Sequence, residues 1–178
     1  MIRYHKSKVP LNTTMKITDF QIHDTDKLDQ LMVQLIEMII GSHQNDPEGF
    51  GMVAAGVLDN ENRFVPALNH VEYGTGKHIH AERAAMDKYR DMHGDIQPGS
   101  IIITTLSPCT DEATAERLGD SCDSLINLGP VHKVYCGYID HTQEPNQHKT
   151  YHLQCTKNKK LEQLCKQIAS TFLDDHED

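Results

Sequence analysis

The stretch His78-Ile79-His80-Ala81-Glu82-Arg83-Ala84-Ala85-Met86 constrains this chain more than any other. His80 stands at the start of an alanine-rich run that reads as a helix, and Glu82 follows two residues later in the first turn. Ser107-Pro108-Cys109 comes one strand further along, and Cys122 after that. One imidazole, two thiols and a nearby carboxylate that need not be a ligand are the parts from which a zinc site with an open fourth position is made. A fold that uses them must bring a helix start, a strand end and a second helix start to one place.

The rest of the sequence supplies such elements in order. Leu28, Leu31, Met32, Leu35, Ile36 and Ile39 recur at helical spacing behind Asp24 or Thr25 as cap, and Gly41 is the expected stop. Phe50 to Leu58 and Arg63 to Asn69 read as a hairpin turned by Asp59-Asn60-Glu61-Asn62, and Pro66 places its second strand at an edge or at a bulge. After the loop Glu72 to Lys77, the His-Ala-Glu helix runs to about His93-Gly94. Gln97-Pro98-Gly99 turns into Ser100 to Leu106, a β-branched and uncharged run that reads as a strand buried on both faces and delivers Cys109 beyond its carboxyl end. Cys122 to Gly129 reads as a short helix, Val131 to Ile139 as a strand and Tyr151 to Cys155 as a short edge strand. Leu161, Leu164, Cys165, Ile168 and Phe172 line one face of a last helix. This alternation predicts an α/β fold: a single three-layer α/β/α domain over residues 21–173, with a mixed sheet of about five strands and helices on both faces. A mobile basic arm over 1–20 and an acidic tail over 174–178 flank it. Ligands of such sheets bind beyond the carboxyl ends of the strands, where Cys109 is expected.

Composition narrows the partners. A length of 178 residues suits one core, and the longest apolar-rich run, Leu31 to Ile40, is interrupted by Gln34 and Glu37 and too short for a membrane span. The basic N-terminus leads into Val9-Pro10-Leu11-Asn12 rather than an apolar stretch, so the chain is expected to be cytoplasmic. Five cysteines, an odd number without an export signal, favour reduced thiols or metal ligands over disulfides. The net charge of −9 disfavours a long polyanion, so nucleic acid is not the expected partner.

Competing assignments stay open at this level. His78 rivals His80, yet only His80 has a glutamate at the required offset. Cys136, mid-strand, reads as core and is the substitute should Cys122 fail; Cys155 and Cys165 read as structural. The charged segment Asp111 to Asp120 is either a solvated loop or the rim of the site, where Arg117 could meet a phosphate. Asn69 is either a turn residue or a substrate contact.

His80-Ala81-Glu82 followed by Pro108-Cys109 and a later cysteine resembles the zinc-dependent cytidine deaminase-like superfamily, whose signature is H-x-E…P-C-x-x-C. The resemblance implies Zn2+ on His80, Cys109 and Cys122, Glu82 as acid/base, and Asn69 as a substrate contact, with Ala81, Ser107 and Arg117 as further candidates. It departs from the signature in one respect: twelve residues, not two, separate Cys109 from Cys122. That wider gap, with Arg117-Leu118-Gly119 inside it and Val134 to Asp140 and Pro145 beyond, is loosely similar to the riboflavin-biosynthesis pyrimidine deaminase branch. The implied activity is hydrolytic deamination of a small amino-heterocycle, with hydroxide on zinc as nucleophile, Glu82 as proton shuttle and ammonia released. Relatives of this fold are often dimers or tetramers, so a homo-oligomer is expected. Two other readings are a deaminase acting on tRNA or single-stranded nucleic acid and a non-catalytic zinc-binding module on the same fold.

Overall fold

The helix α1 (Lys27–Asn45) shows how the chain's apolar spacing becomes a layer. Its buried residues Leu28, Leu31, Met32, Leu35, Ile36 and Ile39 form one stripe, which packs on β1 and β5 of the central sheet. A computed structural model of the chain describes residues 26–45, 52–110, 121–141 and 150–173, with side chains to residue 170. Asp26 caps α1 by accepting the Leu28 N–H at 3.3 Å; Asp24, Thr25, Phe50, Phe172, the arm and the tail lie outside the described residues. The expected stop at Gly41 is corrected, because α1 runs on to Asn45. A glycine inside a helix costs only about 1 kcal/mol, too little to end α1 there, although the buried stripe itself stops at Ile39. The Asn45 side-chain NH2 then donates to the Gly41 carbonyl at 2.8 Å in the last turn.

The hairpin forms as expected from β1 (Ala54–Leu58) and β2 (Phe64–Leu68), with Asn62 in the left-handed region at φ 64° in the turn. The strands β5 (Ile101–Leu106), β6 (Lys133–Tyr138) and β7 (His152–Cys155) complete a five-stranded sheet in the order β2-β1-β5-β6-β7. Pro66 therefore lies on an edge strand, where its missing N–H breaks no ladder on the outer side. The sheet is mixed: β1 is antiparallel to β2 and β5, and β5, β6 and β7 run parallel.

Helix α2 (Ala81–His93) and the short α3 (Cys122–Asn127) cover one face through Ala81, Ala85, Met86, Tyr89 and Ile126. Helix α1 and the last helix, α4 (Lys159–Leu173), cover the other with Leu161, Leu164, Cys165 and Ile168. The three layers match the expected architecture. Cys165 is structural, as its spacing suggested: a Cβ on Gly137 of β6 would stand 2.2 Å from its sulfur, so the glycine lets α4 lie close on the strand. A small second sheet, β3 (His70–Val71) against β4 (His78–Ile79), closes the loop Glu72 to Lys77. No helix among the described residues is long and apolar enough to cross a membrane.

Candidate metal and acid/base site

Each side chain of the site is carried by an element whose end points to the same corner of the α2 face. His80 is the extended residue just before α2, at φ −70° and ψ 152°, with its carbonyl accepting the Ala84 N–H at 2.9 Å. Glu82 lies in the first turn of that helix and is buried. Cys109 follows the carboxyl end of β5, where the Ser107 N–H continues the pairing by donating to the Tyr138 carbonyl at 2.9 Å. Cys122 is the first residue of α3, capped by Ser121, whose hydroxyl oxygen accepts the Ser124 N–H at 3.2 Å.

Among the described residues, His80, Cys109 and Cys122 form one group whose donor atoms all lie within 4.8 Å of one another. His80 Nδ1 is 3.4 Å from the sulfur of Cys109 and 3.4 Å from that of Cys122. Tetrahedral bonds of about 2.3 Å to sulfur and about 2.0 Å to nitrogen would set those donors roughly 3.6 Å apart. The donor set, one nitrogen and two sulfurs at nearly that spacing, therefore fits a zinc ion with one position left over. Cys136 sits elsewhere, fully buried in β6 in register with Thr104, so the structure brings Cys122 and not Cys136 to the imidazole.

The two thiols are shifted in opposite directions. The Cys122 thiol beside it lowers Cys109, against burial, with help from His80 and from the Cys122 N–H at 3.3 Å. Cys122 is pushed up by Cys109, by burial and by the Glu82 charge. Burial lowers His80, but Cys109 and Glu82 outweigh it and raise the imidazole overall. Glu82 is raised chiefly by burial, with the negative Cys109 adding to it and His80 opposing.

Glu82 is held on both sides. Its Oε2 is 3.4 Å from the Cys122 sulfur, and its Oε1 is 3.0 Å from the Thr104 hydroxyl. Thr104, a buried residue of β5, was missed in the sequence; its signal is a hydroxyl in an otherwise aliphatic strand that ends at the Ser-Pro-Cys segment. The same hydroxyl is 2.8 Å from the Leu106 carbonyl. Having a single proton, it can donate to a Glu82 carboxylate, or donate to Leu106 while accepting from a protonated Glu82. Both charge states of the carboxyl find a partner without a change in backbone.

The other expected contacts fall as follows. Asn69 is buried and its Oδ1 accepts the Val53 N–H at 2.9 Å, which fixes the side chain and leaves the NH2 as its donor group. Ser107 uses its hydroxyl oxygen to accept the Asp140 N–H at 3.0 Å. Ala81 is fully buried as the first residue of α2. Arg117 and the rest of 111–120 lie outside the described residues. His78 lines a polar pocket of about 170 Å³ together with Lys77, Arg83 and Asp87, and both His80 and Cys122 open onto it.

Residues 26–138, more than half of the chain, match the family described as the cytidine and deoxycytidylate deaminase zinc-binding region. A search of curated protein sequences finds no match. Solved structures share the fold at low identity. The diaminohydroxyphosphoribosylaminopyrimidine deaminase/5-amino-6-(5-phosphoribosylamino)uracil reductase of Thermotoga maritima is 17% identical at a TM-score of 0.53, over 81% of this chain and only 42% of its own. The dCMP deaminase of cyanophage S-TIM5 is 20% identical at 0.53, over 72% of this chain and 96% of its own. A deaminase of A-to-I editing at the wobble position of transfer RNA is 18% identical at 0.51, over 72% and 98% respectively.

Proposed function

The chain belongs to the family defined by the cytidine and deoxycytidylate deaminase zinc-binding region, and from that premise we propose that it is a zinc-dependent hydrolytic deaminase of a small amino-heterocycle: a nucleobase, nucleoside, nucleotide or related aminopyrimidine. The observation that carries the reading is Glu82, a buried carboxyl with a raised pKa, beside the sulfur of one donor and two residues from another. A site that only held metal would have no use for a proton carrier so placed.

His80, Cys109 and Cys122 would hold the ion. Zinc, when bound, supplies Lewis acidity and lowers the pKa of a coordinated water towards neutrality. Glu82 takes the proton of the attacking water, passes it to a ring nitrogen, and delivers a second proton to the departing amine. Water and the exocyclic amine are consumed, and the carbonyl product and ammonia leave. Thr104 follows these changes by turning its hydroxyl between Glu82 and Leu106. Asn69, held by Val53, presents its NH2 to the heterocycle, and the Ala81 backbone, Ser107 and Arg117 complete the substrate contacts. Residues 21–173 make up the catalytic domain, with 1–20 and 174–178 as flanking segments.

The net charge of −9 favours a small substrate over a polynucleotide, because an acidic surface repels a phosphate backbone. Ammonia release from the zinc-loaded protein, screened over bases, nucleosides, nucleotides and aminopyrimidine phosphates beside an RNA oligonucleotide, tests the reading. Turnover of at least one small substrate is expected. Turnover of the oligonucleotide alone would replace this reading with the nucleic-acid one, and no turnover of any of them would leave a binding module.

A further inference from the structure

A two-residue spacer would fix two sulfurs on neighbouring turns of one helix, but the twelve residues between Cys109 and Cys122 leave the second sulfur far less constrained by the chain itself. Among the described residues, its position is held by contacts made by α3. The Cys122 N–H donates to the Cys109 sulfur at 3.3 Å, and the Asp123 N–H donates to the Cys109 carbonyl at 3.1 Å. Both tie α3 to the end of β5.

A second set of bonds comes from the opposite side. Asp123, next to Cys122, is 1% exposed, and its carboxylate accepts the hydroxyl of Tyr151 on one oxygen and the side-chain NH2 of Asn127 on the other, the latter at 3.0 Å. Asn127 in turn accepts the Thr150 N–H at 2.8 Å, and the Thr150 hydroxyl lies 3.0 Å from its Oδ1 and 3.2 Å from its carbonyl. Thr150 and Tyr151 lead directly into β7, which is in register with β6. The short helix is thereby fastened to the sheet through Asp123, next to the second sulfur, and through Asn127 at its other end. Burial and the Asp123 carboxylate push the Tyr151 hydroxyl up, so it stays a donor across the physiological range.

We propose that Tyr151 and Asp123 are positioning residues for Cys122, holding α3 so that its sulfur meets His80 and Cys109 despite the long intervening segment. The inference rests on the reading of His80, Cys109 and Cys122 as one metal-binding set. The chain also contains a matched control: on the other face of the sheet, the Tyr135 hydroxyl donates to buried Asp29 at 2.5 Å, in an equivalent bond that touches no part of the site.

The test compares Tyr151→Phe with Tyr135→Phe in the reduced full chain. Zinc affinity is read by competition with a chelator, and the Co2+ form is read by the intensity of its thiolate-to-metal charge-transfer absorption. Tyr151→Phe is expected to weaken zinc about 10-fold, the low end of the cost of losing a ligand's own outer partner, because Tyr151 bonds the neighbour of Cys122 and not its sulfur, and to lower the charge-transfer intensity per cobalt towards that of Cys122→Ser. Tyr135→Phe is expected to lower Tm to a similar degree with affinity unchanged. Should Tyr151→Phe not fold, Asp123→Asn is measured in its place, with the same direction expected. Affinity in the Tyr151 or Asp123 variant within twofold of the unaltered protein, or an equal loss in Tyr135→Phe, would overturn the positioning role. No metal binding by the unaltered protein would instead overturn the metal-binding set, and this inference with it.

Discussion

The two halves of the site are built by different means. His80 and Glu82 are two residues apart at one helix start, so the backbone of α2 alone fixes their relation, while Cys109 and Cys122 stand thirteen residues apart and are tied, among the described residues, by the Cys122 N–H to the Cys109 sulfur and the Asp123 N–H to the Cys109 carbonyl. For a flexible chain, closing a thirteen-residue separation instead of a three-residue one costs about 1 kcal/mol more in entropy. The contrast extends to how each helix is anchored. Tyr89 of α2 donates to Asp59 at 2.7 Å, two turns away from the site, whereas the equivalent Tyr151 bond of α3 lands on the neighbour of Cys122. Anchoring at a distance stabilises the fold; anchoring beside a donor sets the geometry of the site.

That difference can be broken experimentally, and the largest effect is expected in the far half. Cys122→Ser should weaken zinc binding by more than the roughly 100-fold that loss of an outer partner costs, whereas Cys136→Ser should leave zinc bound at unaltered affinity. Metal content after dialysis separates them, and the reverse outcome would move the third donor to β6.

Asp59→Asn sharpens the comparison from the near side. Burial raises the Asp59 carboxyl, but hydrogen bonds from Tyr89 and Arg63, with the Arg63 and Glu61 N–H groups, outweigh it and hold it at about 2. A carboxyl held below its unfolded value of about 4 stabilises the protein fully above that pH, and the contribution is lost as pH falls from about 4 towards 2. The variant should lose roughly 1–3 kcal/mol at pH 7 through its charge-assisted bonds, with the gap to the unaltered protein closing on acidification and zinc affinity unchanged. Urea unfolding at pH 7 and at pH 3, midway through that window, measures the narrowing. A gap that did not narrow would mean that Asp59 acts through packing and not through its charge.

A smaller effect belongs to Thr104. Thr104→Val should reduce kcat about tenfold, near the worth of one buried hydrogen bond, with zinc content intact. An unaltered kcat would show that Glu82 needs no partner on β5.

How much of this was legible in the sequence follows the same division. The helix start, the strand ending at Ser-Pro-Cys, the edge place of Pro66 and the layer order were readable because apolar spacing and turn residues are local signals. The overrun of α1 past Gly41 was not, since a lone glycine costs a helix only about 1 kcal/mol and need not end it. The two-residue strands β3 and β4 are too short for any periodicity to register. Thr104 and Tyr151 were invisible as site residues for a different reason: one lies 22 residues from Glu82 and the other 28 from Asp123, so only the sheet register brings them together. The choice between Cys122 and Cys136 turned on that same register, which places Cys136 beside Thr104 in the strand interior.

The most direct test is Glu82→Gln, measured for zinc content and for ammonia release on whichever substrate the screen identifies. The account predicts one zinc per chain, as in the unaltered protein, and a loss of turnover of about 100- to 10,000-fold, the usual weight of a positioned acid/base. Turnover within a few-fold of the unaltered protein, with zinc still bound, would contradict it.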